Sequence, residues 1–439
     1  MRLLLAPRQV ALALVPPRVL MAFVLMAFGV TALVAIGAGS ASAQEWTRFR
    51  GPNGQGQSES VFDAKFTQSD FAWKTTLPGE GASSPVLWGN KLFLIASDRA
   101  SATRFLVCLD AKSGKALWTN DYESQTHKLH SRSSYSSSTP AVDSERLYVA
   151  WSTRETTTFM ALDHDGKELW KKDLGRWIGS HGFGTSPMIY KDMVILHNSL
   201  QSSGLDPGEK PGNSFMMAFD RKTGEEIWRS ARPGARVCYS VPAVYHPPGG
   251  GPDQLVCCST EEGVYSLNPT NGKLNWKTAG AIKMRAVSSP VIADGLIFGS
   301  TGSGGGGNYV VAIRPGTQPE VVYEIKQNAP YVPTSVTYKG LLFLFGDKGI
   351  ASCADIQTGE VHWRQRMSTG FSGSPIRAGD KIYLISDEGE LFCLAGSKEF
   401  KVLGKSELGE TSRSTPAVHD GRMYLRTKTH VICVKQAAS

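Results

Sequence analysis

Residues 220–228 read Asp-Arg-Lys-Thr-Gly-Glu-Glu-Ile-Trp, an acidic turn followed after three residues by a tryptophan. An Asp or Asn at the start of such a turn can hydrogen-bond the turn's own backbone, and glycine takes the left-handed conformation that closes it. The pattern recurs along the chain, at Asp110 to Trp118, Asp163 to Trp170, Asn268 to Trp276 and Asp355 to Trp363. The tryptophan's large apolar surface predicts that each unit wedges against a neighbouring unit.

A second signal divides the chain into units. A small-residue cluster ending in Ser-Pro or Thr-Pro opens six of them, and Val241-Pro242 and Thr334-Ser335 are variants of it. The eight opening residues are Ser84, Thr139, Ser186, Val241, Ser289, Thr334, Ser374 and Thr415. Such self-similarity at spacings of roughly 40 to 55 residues is typical of repeat architectures and outranks local patterns.

Each unit reads as four short strands. The second strand is a near-continuous apolar run, as in Leu92 to Ile95, which predicts that both faces of each sheet are covered. The last unit lacks its fourth strand, and an orphan strand that carries Trp73 precedes the first opening. The sequence therefore predicts an all-β, eight-bladed propeller of four-stranded antiparallel blades, closed by the N-terminal strand. The predicted docking residues are Trp73, Trp118, Trp170, Trp228, Trp276 and Trp363, with Tyr323 and Val402 in the two weaker units.

The turn-and-tryptophan motif resembles the pyrroloquinoline-quinone repeat of quinoprotein dehydrogenases. This repeat is shared by an eight-bladed, non-catalytic propeller scaffold of the outer-membrane β-barrel assembly machinery. The resemblance covers residues 71–434, and residues 45–56 are similar to the amino terminus of secreted quinone-repeat-like bacterial proteins. It implies the fold strongly and the function weakly, because one fold hosts many functions.

The first 43 residues are typical of an export signal. Three arginines precede an apolar stretch, and Ala41-Ser42-Ala43 forms a cleavage site before Gln44. We expect residues 1–43 to be a signal peptide or, if uncleaved, a membrane anchor. Residues 44–70 are expected to form an extended segment, 44–60 of it with few packed contacts, and 71–439 the propeller. The location would be periplasmic or secreted.

Several features carry a structural interpretation. Cys108, Cys353, Cys393 and Cys433 occupy one register of the third strand and are expected to be buried, unpaired core residues. Cys257 and Cys258 lie inside a strand, where successive side chains point to opposite faces, which disfavours the vicinal disulfide of quinoprotein dehydrogenases, although the sequence leaves their oxidation state open.

Motifs for other sites are weak. The glycines of 302–307 match a dinucleotide-binding pattern but precede a strand rather than a helix, so they are interpreted as a flexible connection. His127 and His130 lack further metal-ligand spacing, so no metal site is predicted.

The candidate ligand site is one mouth of the central channel. The connections before the first strands contain cationic and aromatic residues that propeller symmetry would bring toward the axis. These candidate ligand-binding residues are Arg132, Tyr135, His181, Arg236, Tyr239, Arg285, Tyr331 and Arg413, with Phe183 and Phe371 nearby. They would suit an anionic ligand or an acidic partner segment, with Glu80 or Glu410 as a compensating carboxylate. The alternative is that they are ordinary solvated loop residues. The connection from Asn198 to Asn213 is expected to be a lid or partner loop.

Three function classes remain open. The chain has no visible catalytic constellation, which favours a monomeric, exported, non-catalytic binding or scaffold propeller with a protein partner or a small anionic ligand. A dehydrogenase using pyrroloquinoline quinone and calcium is the alternative, although its Glu, Asn and Asp calcium ligands cannot be assigned residue by residue. A carbohydrate-active propeller is third and lacks an identifiable carboxylate pair. The net charge of +8 includes three leader arginines, and no basic run predicts nucleic-acid binding.

Overall fold

A computed structural model describes residues 45–153 and 155–436, so the predicted cleavage site lies outside the described residues. The described chain forms eight antiparallel blades of four strands each, and seven of them use four consecutive strands. The prediction of an all-β, eight-bladed propeller is therefore confirmed. No helix among these residues is both long enough and apolar enough to cross a membrane.

The strands are numbered in chain order. Blade 1 contains β3 (Val86–Trp88), β4 (Lys91–Ser97), β5 (Arg104–Asp110) and β6 (Ala116–Tyr122), and blade 2 contains β7 (Ala141–Val142), β8 (Arg146–Ser152), β9 (Thr157–Asp163) and β10 (Glu168–Asp173). Blade 3 contains β11 (Met188–Tyr190), β12 (Met193–Asn198), β13 (Ser214–Asp220) and β14 (Glu226–Arg232), and blade 4 contains β15 (Ala243–Tyr245), β16 (Gln254–Ser259), β17 (Gly263–Leu267) and β18 (Leu274–Lys277). Blade 5 contains β19 (Val291–Ala293), β20 (Leu296–Thr301), β21 (Tyr309–Arg314) and β22 (Glu320–Ile325), and blade 6 contains β23 (Val336–Tyr338), β24 (Leu341–Phe345), β25 (Ile350–Asp355) and β26 (Val361–Arg366). Blade 7 contains β27 (Ile376–Ala378), β28 (Lys381–Ile385), β29 (Glu390–Ala395) and β30 (Val402–Glu407), and blade 8 contains β31 (Ala417–His419), β32 (Arg422–Arg426), β33 (His430–Lys435) and β2 (Phe71–Thr76). Two short 3-10 helices (Pro52–Gly54 and Gln68–Asp70) precede β2, and β1 (Gln57–Ser58) adds a parallel edge to blade 7.

The ring closes through the N-terminal strand. β2 pairs antiparallel with β33, with Trp73 opposite Cys433 and Thr76 opposite His430. Blade 8 is thus built from both ends of the described chain. Trp73 also reaches blade 1, where its indole nitrogen donates to the carbonyl of Ala111 at 3.2 Å. The N-terminal strand therefore joins the last blade to the first.

The apolar core lies between the blades. Both faces of each second and third strand are buried, and the buried clusters each combine residues of adjacent blades. Cys257 belongs to the cluster between blades 3 and 4, whereas Cys258 belongs to the cluster between blades 4 and 5. All seven cysteines are buried and free, which confirms the expected burial of the third-strand thiols.

A β-bulge positions each outer-strand docking residue. In blade 3, Trp228 lies opposite Ala218 and the register shifts at the next pair, so Ile227 is left unpaired. The same shift occurs in every outer strand, including β2. A small third-strand residue lies opposite each aromatic docking residue, and Cys108, Cys353 and Cys433 fill this position in their blades. The bulge re-aims the strand so that the indole lies over the neighbouring blade.

The indoles dock on the acidic turn of the next blade. In that turn, Asp220 accepts hydrogen bonds from the amides of Lys222 and Thr223 at 2.8 Å, and Gly224 has a φ of +71°. A Cβ at Gly224 would lie 2.6 Å from the ring of Trp170. Glycine is thus required twice, for backbone conformation and for ring contact.

Most docking residues donate to a carbonyl of that turn. The pairs are Trp73 to Ala111, Trp118 to His164, Trp170 to Arg221, Trp228 to Pro269, Tyr323 to Ile356 and Trp363 to Ser397. Trp276 differs, because it donates to Gln254 of its own blade at 2.7 Å. The turn of blade 5, after Arg314, lacks the acidic pattern.

Blade 7 departs from the expected repeat. Cys393 lies opposite Gly404, and Val402 lies before the bulge, opposite Leu394. The assignment of Val402 to the docking position was therefore wrong by two residues. A Cβ at Gly404 would lie 2.1 Å from the carbonyl oxygen of Ala64. The N-terminal segment occupies the space that an indole fills in other blades, because its Phe62 is buried in the cluster shared by blades 7, 8 and 1.

A ring of hydroxyl groups encircles the channel. The backbone amides of seven of the eight opening residues donate to the opening hydroxyl of the next blade. The seven bonds are Ser84 to Thr139 (3.0 Å), Thr139 to Ser186 (2.9 Å), Val241 to Ser289 (3.1 Å), Ser289 to Thr334 (2.9 Å), Thr334 to Ser374 (3.0 Å), Ser374 to Thr415 (3.0 Å) and Thr415 to Ser84 (3.1 Å). Only Val241 has no hydroxyl to offer. The Ser-Pro and Thr-Pro openings thus link neighbouring blades.

Residues 45–66 form an N-terminal strap that contacts each of blades 1 to 7. It accepts the amides of Leu87, Val142, Ile292 and Arg377, donates to Met188, Pro242 and Ser335, and exchanges two hydrogen bonds with Val244 through Asn53. Trp46 is 1 % exposed and Arg50 is fully buried. The expectation that residues 44–60 make few packed contacts was therefore wrong.

Candidate functional site

The candidate site is a cavity of about 890 Å³ lined by the loops before the first strands. Six opening hydroxyl residues line it, together with the loops that precede the first strands. Phe49 of the N-terminal strap also lines the cavity. The volume lies in the range of ligand-binding clefts.

The structure brings most of the candidate residues together. Those that line the cavity are Arg132, His181, Phe183, Arg236, Tyr239, Arg285, Tyr331 and Arg413. Tyr135 is buried instead, and its hydroxyl group donates to the carbonyl of His127 at 2.9 Å. Phe371 is also buried, against Phe345 and Phe392. These two side chains therefore belong to the packing of the blades.

Sequence reasoning missed several cavity residues. Lys326 follows the outer strand of blade 5, while Asp347 and Lys348 form the turn between the second and third strands of blade 6. Lys326 lies in a connection before a first strand, so the positional rule that selected the arginines would also have selected it. Asp347 and Lys348 lie in a connection between second and third strands, and these connections share the same face of the propeller. The glycine-rich connection 303–307 also lines the cavity, as does His130.

The cavity wall is strongly cationic. Its described residues include six cationic side chains (Arg132, Arg236, Arg285, Lys326, Lys348 and Arg413) and one carboxylate, Asp347. Lys326 pairs with Glu324 at 2.9 Å, and in the described part of the chain the other five have no carboxylate oxygen within 4.0 Å. Arg413 donates instead to the carbonyl of Ser131 at 3.1 Å.

The carboxylates expected to compensate these charges do not line the cavity. Glu80 pairs with Arg99 and Lys428, and Glu410 lies 3.2 Å from His430 and accepts hydrogen bonds from Thr429. Asp347 is the carboxylate on the wall. Burial raises its pKa, while hydrogen bonds from the amides of Tyr331 and Val332 and the charge of Arg132 lower it. One partly buried acid cannot balance the cations around it.

Arg285 lies deepest among these cations. Its side chain is 8 % exposed, and its Nη1 lies 3.3 Å from His181 Nε2 and 3.4 Å from Tyr331 Oη. Burial, followed by the charge of Arg285, lowers the pKa of His181 to about 4. His181 is therefore neutral at pH 7, and its ring stacks on that of His130 with centroids 5.0 Å apart.

The cavity does not fit a quinone held over calcium. Calcium requires a set of six to eight oxygen ligands, including carboxylates. Asp347 is the carboxylate on the described wall, and its oxygens already accept two backbone amides. No cluster of three His, Cys, Asp or Glu side chains suited to a metal occurs within residues 45–153 and 155–436.

The long connection of blade 3 packs beside the mouth. Leu200 is buried, and Asp206 lies 3.1 Å from Lys128, which belongs to the loop before blade 2. The loop before blade 2 in turn carries His130 and Arg132 to the cavity wall. The connection therefore braces that loop, and its predicted role as a lid stays a prediction.

Comparisons with solved structures reveal the same architecture. The chain aligns with a europium-containing methanol dehydrogenase (TM-score 0.62, 13% identity, 87% of this chain and 89% of that chain). It also aligns with BamB from Moraxella catarrhalis (TM-score 0.57, 13% identity, 84% of this chain and 99% of that one). At such identities these similarities establish the fold alone.

The similarities in sequence indicate the family, whereas those in structure indicate the fold. The chain is 21% identical over 281 residues to outer membrane protein assembly factor BamB of Yersinia pestis, covering 60% of this chain and 66% of the relative. It is 23% identical over 299 residues to the protein of the same name from Moranella endobia, covering 65% and 71%. The chain thus spans slightly less than two thirds of the Yersinia protein. The family model for outer membrane protein assembly factor BamB matches residues 67–138, 102–337 and 332–438. The resemblance to a quinone-repeat propeller is confirmed, and the chain belongs to the outer membrane protein assembly factor BamB family.

Proposed function

We propose that this protein is an exported, non-catalytic binding propeller that takes an acidic segment of a partner protein into its central cavity. The observation that carries the proposal is the wall charge, with six cationic side chains and one carboxylate among the described residues. Cations brought together in a confined site repel one another, so an anionic occupant lowers the energy of the arrangement. A carboxylate-rich ligand supplies several negative charges at once.

The family supports a protein as the source of these carboxylates. The relatives are named outer membrane protein assembly factors, and we extend to this chain the expectation of a protein partner outside the cytoplasm. The proposal includes a signal peptide at 1–43, a segment at 44–70, a propeller at 71–439 and a monomeric state. Intact-mass analysis of exported protein that begins at Gln44 would support it, and a membrane-bound chain beginning at Met1 would contradict export by cleavage.

The test is calorimetric titration with a hexa-aspartate peptide at pH 7. We expect binding that weakens as salt is raised from 50 to 300 mM, because the attraction is electrostatic. Replacing both Arg236 and Arg285 by alanine should weaken binding about tenfold or more, as expected for close charge pairs. Replacing Arg229 and Arg314 by alanine is the matched control, since Arg229 lies on the outer strand of blade 3, Arg314 ends the third strand of blade 5, and they pair with Glu226 and Glu320.

Citrate provides the second arm of the experiment. It carries carboxylates on a small molecule rather than on a chain. Tighter binding of the peptide than of citrate supports a partner segment. Binding of citrate alone would replace the partner by a small polycarboxylate, and absence of binding for both would overturn the proposal.

A further inference from the structure

Arg285 differs from the other cavity cations in its burial. It is 8 % exposed, whereas Arg132, Arg236, Lys326, Lys348 and Arg413 are exposed. Its backbone is held by a bridge to Gly302, and its Nε has no hydrogen-bond partner among the described residues. The side chain therefore has little freedom to move out to solvent.

The groups around the Arg285 guanidinium do not neutralise it. Nη1 contacts the imidazole of His181, which is neutral at pH 7, at 3.3 Å, and the phenol oxygen of Tyr331 at 3.4 Å. Within the described residues no carboxylate lies within 4.0 Å. A buried guanidinium with neutral partners alone is unfavourable, because desolvation is not repaid by an opposite charge. An anion is the missing component.

His181 also lies among positively charged groups. Arg285 can only donate, so Nε2 of the neutral ring accepts from it and Nδ1 carries the proton, 2.8 Å from the hydroxyl of Ser180. The charged and titratable groups that face it from the neighbouring loops are Lys128 and His130 before blade 2, Arg236 and Tyr239 before blade 4, Arg285 before blade 5 and Tyr331 before blade 6. The charges among them are positive, and Lys128 is paired with Asp206. Burial is the larger cause of the lowered pKa of His181, and these positive charges add to it.

We propose that Arg285 anchors one carboxylate of the ligand and that His181 takes up a proton when this carboxylate binds. This inference rests on the proposed function of the cavity. The carboxylate accepts from Arg285, and its negative charge counteracts the burial and the positive charges that keep the imidazole neutral. The proton comes from the buffer and goes to Nε2 of His181, which then donates to the ligand instead of accepting from Arg285.

The first test separates Arg285 from the exposed arginines. Hexa-aspartate binding is measured for the wild type, Arg285→Gln and Arg236→Gln, which each remove one charge from the same cavity. We expect a loss of roughly thirtyfold for Arg285→Gln and about threefold for Arg236→Gln, because a desolvated charge interacts more strongly than an exposed one. Equal losses would overturn the anchor while leaving the proposed function intact.

The melting temperature of unliganded Arg285→Gln gives a readout that needs no ligand. If Arg285 serves binding rather than the fold, removing its uncompensated charge should leave the melting temperature unchanged or raise it. A clear decrease would indicate a structural role and would contradict the proposal.

The second test measures the proton. Titrations at pH 6 in two buffers of different ionisation enthalpy report how many protons accompany hexa-aspartate, whose side chains remain ionised there. We expect uptake of up to one proton by the wild type and affinity that increases as pH falls from 7 to 5.5. His181→Gln should lose both the proton uptake and the increase in affinity between pH 7 and pH 5.5. Uptake that persists in His181→Gln would overturn the role of His181.

Discussion

At the scale of single residues, the opening serines and threonines act across blade boundaries. Each accepts the backbone amide of the preceding blade's opening residue, and six of these seven residues are followed by a proline, which has no amide of its own to satisfy. The hydroxyl therefore replaces a missing sheet partner at the crowded axis of the propeller. Val241 interrupts the series between blades 3 and 4 and packs instead in the core between them.

We expect Thr334→Val to destabilise the protein by about 1–3 kcal/mol, because the buried amide of Ser289 loses its acceptor while the volume of the side chain is kept. Val241→Thr is the matched control and should change stability by less than about 1 kcal/mol, since it offers the Ser186 amide an acceptor at the cost of burying a hydroxyl. The measurement is the melting temperature of both variants. Equal decreases would contradict a role for the hydroxyl ring.

At the scale of elements, the N-terminal strap is a structural part of the propeller. It contacts the innermost strands or openings of blades 1 to 7 and then becomes the outer strand of blade 8. Its glycines serve these contacts. A Cβ at Gly51 would lie 2.5 Å from the ring of Trp46, and Gly51 has a φ of +65°. The motif of residues 45–56 is therefore explained by channel closure rather than by ligand chemistry.

Trp46→Ala should cost about 3–5 kcal/mol, as expected for removing a large buried aromatic side chain. Val61→Ala is the control within the same segment, because Val61 is 41 % exposed and should change stability by less than about 0.5 kcal/mol. Thermal melting and hydrogen exchange of the strap amides give the two readouts. A melting temperature for Trp46→Ala equal to that of Val61→Ala would show that the strap is dispensable.

At the scale of the whole molecule, closure depends on pairing the two ends of the chain. Thr76 lies opposite His430 in the ladder between β2 and β33, and Thr76 Oγ1 contacts His430 Nε2 at 3.1 Å. Opening this ladder would expose the β33 edge and break the contact of Trp73 with blade 1. Ring stability therefore depends on a contact between residues more than 350 positions apart.

We expect the double variant Thr76→Cys/His430→Cys to form a disulfide under oxidising conditions and to gain about 2–4 kcal/mol, since the bond restricts a very long loop in the unfolded chain. The gel mobility of the unfolded protein without reductant detects the crosslink. Thr76→Cys/Lys435→Cys is the control, because Lys435 lies opposite Arg422 at the other end of the ladder. Crosslinking of the control but not of the test pair would exclude the observed register.

The repeat carried most of the fold in its local pattern. The turn at Asp220, the glycine at 224 and Trp228 interact within one unit or with its neighbour, so their spacing was sufficient to predict the blades. Blade 7 could not be predicted in this way. The repeat gives no reason for a glycine at position 404. The reason is the contact with Ala64, which lies 340 residues earlier in the chain.

The candidate site was likewise predicted only in part from the sequence. Propeller symmetry placed Arg132, Arg236 and Arg413 near one axis, and the structure brings them to one cavity. The same positional rule included Tyr135, whose ring turns into the blade because its hydroxyl bonds the backbone of His127. It also omitted Asp347, because a turn residue of blade 6 carries no signal of its own.

The sequence by itself determined the number of blades, the turn chemistry and the closure by the N-terminal strand, because these depend on side-chain periodicity and backbone conformations that recur with each repeat. Only the tertiary structure decided that Arg285 is buried while five similar cations are exposed. Its burial arises where loops of blades 3, 5 and 6 meet around one guanidinium, with His181, Tyr331 and Gly302 as its neighbours. The desolvation of Arg285 arises only where these loops meet, so no single stretch of the sequence predicts it.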